Sequence, residues 1–567
     1  MTCGFLRVLI GMLWLASAAS GWSDDGHGAA LPAPSAAVRS HCGAGTDAGS
    51  PDAALDGAWL RPHWNGWGAG SAQRRFQPAA MAQLGAAQVP RLKLRWAFGF
   101  SGAARAFGQP AVVGGRLFVG SDNGQVHALD AATGCIHWVF TADGPVRTAI
   151  SIGPGPRGWT AYFGDQSGHA YAVDALSGRL LWRRRVHPHA AAIITGAPLL
   201  FEGLLLVPVS SYEELSGAAP GYPCCSFRGG VVALDAETGQ PRWTAFSMTA
   251  EPAPTAGGDR PGLGPSGAAV WSSPTIDPVT RLVYATTGNA YSGPPNDGSN
   301  AIVAFRLDIG ARVWARQMTA GDVYTVACQN QAPGSGNCPQ PAGPDLDFGA
   351  SAMLVHLQAG RRALIAGQKS GVVHAVDPDR GGALLWQTRV GRGGQLGGVQ
   401  WGSASDDERV YVAVSDLRLK PVAADVPGAQ PSPFGVSLLL DPEAGGGLVA
   451  LDPGSGEVLW RTPHPGCQKR PGCSPAQSAA VTVIPGVVFS GGVDGHLRAY
   501  AAADGRIVWD VDTRRDYPTV NGVPARGGSI DGPGPVVVGG MLFLNSGYGI
   551  FGGTPGNVLL AFSVDGR

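Results

Sequence analysis

A strand-plus-turn motif ending in tryptophan returns along nearly the whole chain. It reads HALDAATGCIHW up to Trp138, YAVDALSGRLLW up to Trp182 and VALDAETGQPRW up to Trp243. Looser copies end at Trp314, Trp386, Trp460 and Trp509, and a half-copy, LKLRW, ends at Trp96. Each copy holds an alternating apolar strand, a D-x-x-[TS]-G turn and a second strand that carries the Trp. Asp can bond the turn backbone, and Gly takes the positive φ that the turn needs. Most copies follow another strand pair, as in PAVVGGRLFVGSDNG (110–124) and GVVFSGGVDG (486–495). Four short strands in a unit of roughly 40–75 residues make the blade of a propeller. The tryptophans that end a copy number eight, so the chain reads as an all-β, eight-bladed β-propeller, with each of these indoles packed between neighbouring blades. The terminal NVLLAFSVDG (557–566) is the strand that the Trp96 half-copy lacks. Joining the two chain ends in one blade closes the ring and removes an open sheet edge.

Composition agrees and excludes other classes. The 87 Gly and 45 Pro suit many short strands joined by turns. Lys and Arg total 41 against 41 Asp and Glu, without a long run of one sign. Nucleic acid binding needs a concentrated basic surface, so nucleic acid is not an expected partner. At the N-terminus Arg7 precedes an apolar stretch from Val8 to Ala16 and then small residues to Gly21. That pattern is a secretory signal peptide over 1–20, too short in its apolar part to span a bilayer. No other run is long enough, so stable membrane insertion is not expected and the bacterial periplasm is the expected location. Residues 21–58 read as an extended Ala/Gly/Pro/Asp-rich arm, and 59–567 as the propeller.

Eight cysteines lie beyond the signal. The pairs 224/225, 328/338 and 467/473 can each close a local loop, which leaves Cys42 for Cys135. No Cys-x-x-Cys-His sequence occurs, so covalent c-type haem is excluded.

A propeller repeat does not fix a function. The informative segments are those that interrupt it: 207–230, 266–300, 318–351 and 391–402. They gather acidic, amide, aromatic and lysine residues suited to a metal plus an aromatic cofactor. The stretches VPVSSYEELSGAAPGYPCCSFRGGVVALD, AAVWSSPTIDPVTRLVYATTGN, GPDLDFGAS and AGQKSGVVHAVD resemble those of the pyrroloquinoline quinone (PQQ)-dependent alcohol dehydrogenases, most of all the polyvinyl-alcohol dehydrogenase branch. The likeness runs from about His63 to the C-terminus and includes HWNGWGAGSAQRRFQ and SGYGIFGGTPGNVLLAFS.

That resemblance implies a site. Glu213 in SSYEE and Asn289 in TTGN would bind the metal, and Trp271 would support the PQQ ring. Asp345 in DLDFG would be the catalytic base and a metal neighbour. Asp347 would be a further ligand of the kind that a lanthanide takes in place of Ca²⁺, or an outer neighbour. Lys369 in QKSG would touch the quinone oxygens. Arg147, Thr195, Ser210, Ser211, Gln400 and Trp401 would be cofactor contacts. Cys224 and Cys225 have the vicinal arrangement known in this class, placed after the glutamate rather than where methanol dehydrogenase has its pair.

The residue types fit that chemistry in their own right. Ca²⁺ takes carboxylate and amide oxygens. On a quinone oxygen the cation is a Lewis acid that makes the adjoining carbon a better hydride acceptor. A lysine adds positive charge where negative charge develops, a carboxylate takes the hydroxyl proton, and a flat cofactor suits an indole floor.

Some positions depart from the family pattern. Thr325, in GDVYTVACQN, stands where many relatives carry the base, and Asp322 competes with Asp345 for that role. Asp345 is preferred because DLDFGASAML follows in register, 24 residues before Lys369. Gln109 stands near where a carboxylate is expected beside PQQ. Without a haem segment, electrons would leave to a separate soluble cytochrome c. The loop 416–446 would shape the pocket for the alcohol substrate. The competing reading is a non-catalytic binding or assembly propeller of the outer-membrane assembly type, which has no need for the Glu, Asn and Trp set.

Overall fold

In the computed structural model every motif tryptophan stands across a strand pair from an alanine. The pairs are Trp138 with Ala128, Trp182 with Ala172, Trp243 with Ala233 and Trp314 with Ala304. Trp386 faces Ala375, Trp460 faces Ala450, Trp509 faces Ala499, and Trp96 faces Ala561. The small partner leaves room for the indole to lean into the next blade. There Trp138 Nε1 donates to the Ala175 carbonyl at 3.0 Å, Trp243 to Leu307 at 3.0 Å and Trp386 to Pro453 at 2.9 Å. The turn glycine of that next blade lies against the ring. Gly178 has φ 72°, and a Cβ on it would stand 2.7 Å from Trp138 Cδ2. Such a glycine is therefore required twice, by backbone conformation and by contact. Each buried indole contributes roughly 1.5–3 kcal/mol from area and about 1 kcal/mol from its hydrogen bond.

The structure describes residues 41–43 and 57–567 except 156–157, 220, 255–261, 295, 331–335, 427–428, 432–436, 468–469 and 471. The expected signal peptide and nearly all of the arm lie outside these residues. Eight antiparallel blades follow, the first spanning 111–141 and the seventh 482–512. The eighth joins Leu92–Gly99 to Val558–Val564, Met541–Ser546 and Val536–Val538, so both chain ends close the ring as expected. Among the described residues no helix is long and apolar enough to cross a membrane. All four expected disulfides form: Cys42–Cys135, Cys224–Cys225, Cys328–Cys338 and Cys467–Cys473.

Antiparallel order sorts the loops by face. In a blade the first hairpin and the D-x-x-[TS]-G turn emerge on one face. The turn between strands two and three, and the link to the next blade, emerge on the other. The segments 207–230, 318–351 and 391–402 fall on that second face, as do the 266–274 and 287–300 parts of 266–300 and the loop 416–446, which carries a small sheet of Leu419–Val422, Ser437–Leu440 and Gln430–Pro431.

The segment 64–77 runs around the inner strands as a plug. It meets Val112, Ile152, Ile276, Leu354, Ser405, Val483 and Val537, the innermost strands of seven blades. At its centre Arg75 is fully buried, its guanidinium 4.8 Å from the Trp67 ring. It donates to the carbonyls of Val481 and Trp67 and to Gln109 Oε1, each at 2.6 Å. Burial lowers its pKa to about 9. Gln109, which stands near where a carboxylate is expected, ties this plug to the first blade by also donating to the Gly66 and Trp67 carbonyls.

Candidate functional site

On the loop face, the turn between strands two and three of the fifth blade raises Lys369 into a nest of acids. Lys369 Nζ stands 2.9 Å from Asp345 Oδ1 and 3.3 Å from Asp347 Oδ2, and 5.6 Å from the centroid of the Trp271 ring. Its backbone N–H donates to the Asp347 carbonyl at 3.0 Å. Asn289 follows the second strand of the fourth blade, and its N–H donates to Asp347 Oδ1 at 2.7 Å. The Asn289 amide nitrogen is committed to the carbonyls of Ala290 and Tyr324, both at 2.9 Å. Its Oδ1 is thus the atom left to serve as a ligand.

The two neighbouring glutamates separate in role. Glu213 is fully buried, and its carboxylate accepts from Ser226 N at 2.9 Å and Phe227 N at 2.8 Å, with His189 Nε2 at 3.3 Å. Burial alone would raise its pKa, but the bonds to His189, Ser226 and Phe227 outweigh it and hold the carboxyl low. Every part of this pattern staples the 222–227 loop. Glu214 is half-buried and has no hydrogen-bond or ion-pair partner among the described residues. Burial and the charges of Asp345 and Asp347 push its carboxyl well above the ordinary range, against the pull of Lys369. The short helix Glu213–Ser216 turns adjacent side chains about 100° apart, so only one of the two can face the acidic nest. Glu213, the expected ligand, is committed within the protein, while Glu214 feels the charges of Asp345, Asp347 and Lys369.

Three carboxylates and one ammonium leave the nest too negative. Burial, and Asp347 nearby, raise the Asp345 carboxyl to about 8 despite the pull of Lys369. Burial would lower Lys369, but Asp345, Asp347 and Glu214 keep its ammonium above the usual range. Carboxylates driven up by one another are the condition that a bound cation relieves. The donor set, carboxylates plus an amide oxygen, is that of a hard cation.

Beside the nest lies a narrow cavity lined by Trp67, Arg147, Thr195, Trp271, Trp401 and Tyr548 among others. Trp271 and Trp401 meet edge to face at 5.4 Å and 87°. Gly349 lets Trp271 sit so low, since a Cβ there would be 2.1 Å from its ring. Arg147 lies 4.9 Å from the Trp401 centroid and donates to the Tyr548 hydroxyl at 3.2 Å. Trp401 Nε1 donates to Asp531 Oδ1 at 2.6 Å. One buried polar atom of the lining, Trp271 Nε1, has no partner, and neither has the buried Gln400 Oε1 of the residue before Trp401. Flat aromatic walls and one guanidinium fit a planar anionic cofactor.

Most expected residues converge: Arg147, Thr195, Trp271 and Trp401 on the cavity, and Asn289, Asp345, Asp347 and Lys369 on the nest. Ser210 and Ser211 do not line the cavity. They end a strand paired to Ala192–Ile193, and Ser211 Oγ accepts from Glu213 N at 2.8 Å. Cys224 and Cys225 also stay off its lining and pack with the core around Phe227. Sequence reasoning missed Glu214, Tyr548 and Asp531. Tyr548 lies in the quoted closing stretch, while the other two carry no spacing signal.

A propeller whose loop face joins an over-acidic nest to an aromatic, cationic cavity has the make-up of a quinone-and-metal oxidoreductase. The blade repeat matches, over residues 91–327, 369–526 and 444–567, the family model described as outer membrane protein assembly factor BamB. The chain is 41% identical to a polyvinylalcohol dehydrogenase of Pseudomonas sp. and 39% identical to that of Sphingopyxis sp. (strain 113P3). Each alignment covers 89% of this chain and 77% of the relative. The quinohemoprotein alcohol dehydrogenase from Comamonas testosteroni shares the fold at TM-score 0.63 and 21% identity, over 92% of this chain and 83% of its own. A europium-containing methanol dehydrogenase does so at 0.63 and 19%, over 90% and 99%. The chain belongs to the PQQ-dependent alcohol dehydrogenases, in the branch of the polyvinyl-alcohol dehydrogenases.

Proposed function

We propose that this enzyme oxidises secondary or polymeric alcohols, of the polyvinyl-alcohol kind, to carbonyls in the periplasm. It passes the electrons to a separate soluble cytochrome c. The carrying observation is the nest of Glu214, Asp345 and Asp347 around Lys369, opening beside Trp271. Its excess negative charge supports a Ca²⁺ ion, with a lanthanide as the alternative, held by Glu214, Asn289 Oδ1 and the aspartates.

PQQ with its cation supplies the hydride acceptor when bound. Trp271 would offer the floor, and Arg147 and Thr195 would take carboxylate groups. Asp345 receives the hydroxyl proton as hydrogen leaves the alcohol carbon with its electron pair. Lys369 keeps that carboxylate in place and adds positive charge beside the acceptor. Asn337 Nδ2 donates to the Gly217 and Tyr222 carbonyls at 3.0 and 2.9 Å, tying the loop after Thr325 to the one after Glu214.

The assembly-scaffold reading loses ground because relatives named as enzymes align along nearly the whole chain. The test is dye reduction by purified protein given PQQ and Ca²⁺, across small secondary alcohols and oligomeric vinyl alcohol. Turnover with these alcohols is expected, and Asp345→Asn should lower it by about 1,000-fold while cofactor uptake persists. Activity retained in Asp345→Asn, but lost in Asp347→Asn, would move the base two residues on.

A further inference from the structure

Asp322 is 1% exposed and uses both carboxylate oxygens inside the protein. Oδ1 accepts from the backbone N–H of Asp345 at 2.9 Å, and Oδ2 from that of Leu346 at 2.7 Å. Oδ2 also accepts from Asn300 Nδ2 at 2.6 Å. All three donors are amide N–H groups, so both oxygens of Asp322 are engaged in holding neighbouring chain. Asp322, which its sequence position made a competitor for the base, is thus placed to hold Asp345.

The two N–H groups it holds belong to the base and to the residue after it. Asp345 has φ 57°, in the left-handed region that a residue with a Cβ seldom adopts. Such a conformation costs about 1 kcal/mol or more and persists where surroundings impose it. Asp322 itself is anchored: its carbonyl accepts from Ala290 N at 3.1 Å, and Val323 bridges to Ala290. Gly343 closes over it, since a Cβ there would lie 2.3 Å from Asp322 Oδ1. The bridge to Ala290 also ties this anchor to Asn289, so base and amide ligand share one support.

We infer that Asp322 is a positioning residue that fixes the left-handed turn at Asp345 and so sets that carboxylate against Lys369 and the cation. This rests on the reading of Asp345 given above. A displaced carboxylate should cost turnover and cation affinity while leaving alcohol binding alone, as loss of a group behind a ligand does.

The experiment compares full-length wild type, Asp322→Asn, Asp345→Asn and Asp277→Asn. Asp277 is a buried clamp on the opposite face, accepting from Val279 N at 2.9 Å. Loaded with PQQ and Ca²⁺, Asp322→Asn should lose about 100-fold in kcat, with KM for the alcohol changed less than about threefold. Free of cofactor, it should bind Tb³⁺, read by sensitised luminescence, about tenfold more weakly than wild type, and so should Asp345→Asn. Asp277→Asn should lower the melting temperature and leave both readings unchanged. A folded Asp322→Asn with wild-type kcat and Tb³⁺ affinity would overturn the inference, and so would a matching loss in Asp277→Asn. If Asp322→Asn does not fold, Asn300→Ala loosens the same clamp, and an unchanged kcat and Tb³⁺ affinity there would overturn it too. Absence of turnover in wild type would sink the enzyme reading alone, because Tb³⁺ affinity still reports on Asp322.

Discussion

Two buried ionic clusters stand on the loop face, each fed by the turn between the second and third strands of its blade, and they are built to opposite ends. In the seventh blade Asp494 meets Arg498 Nη2 at 2.7 Å and His464 Nε2 at 3.1 Å, and Arg498 Nε also reaches Asp510 at 3.1 Å. Burial would raise Asp494, but His464 and Arg498 outweigh it and hold the carboxyl far below its usual range. In the fifth blade the single ammonium of Lys369 faces three carboxylates, two of which are pushed up rather than down. The first cluster is complete without any ligand. The second balances only when a cation arrives. Burial of charge is common to both, so the ratio of signs distinguishes structure from function.

That contrast can be broken by substitution. Asp494→Asn should cost about 3–5 kcal/mol, because it removes the buried carboxylate against Arg498 and leaves that guanidinium with Asp510 alone, and should not change Ca²⁺ affinity. Chemical denaturation and a Ca²⁺ titration on the same sample check both halves. Glu214→Gln should do the reverse, weakening Ca²⁺ by about 100-fold, or roughly 2.8 kcal/mol, with little loss of stability. Its neighbour sharpens the point: Glu213→Gln should cost about 2–4 kcal/mol of stability and leave Ca²⁺ affinity nearly intact. Equal cation losses in the two glutamate variants would remove the distinction between them.

The smallest effect is in pH. Asp494 is held low, so its contribution is present above the ordinary carboxylate pKa of 3.8 and is lost as pH falls through its folded value. Asp345 is raised to about 8, so the cation-free protein loses stability as pH rises from 3.8 through that value. Between pH 5 and 8 the melting temperature of the cation-free protein should fall by about 2–4 °C, and Ca²⁺ should abolish the fall. Because cation binding displaces protons, Ca²⁺ affinity should rise over the same interval.

Much of the fold was legible because its signals are local. The Asp, Thr or Ser, Gly and Trp of each turn interact within a hairpin and with the next blade, and the count of eight follows from them. The alanine opposite each Trp is equally regular. The plug was not legible: residues 64–77 bond to seven blades whose strands lie far away in sequence, so no spacing announces it. Within the site, Lys369, Asp345, Asn289 and Trp271 sit on or beside interruptions of the repeat and were readable there. Glu213 against Glu214 was not, because the choice depends on how a one-turn helix is rotated. The partner of Gln109 was not legible for the same kind of reason, since Arg75 enters from the plug.

The central claim is that the over-acidic nest and the adjoining cavity form one cofactor–cation site. Titration of PQQ into cation-free protein, with and without Ca²⁺ and followed by tryptophan fluorescence, tests it most directly. One equivalent should bind and quench Trp271 and Trp401 when Ca²⁺ is present, with far weaker uptake when it is absent or when Glu214 is Gln. Saturable PQQ binding that ignores both Ca²⁺ and Glu214, or no binding at all, would contradict it.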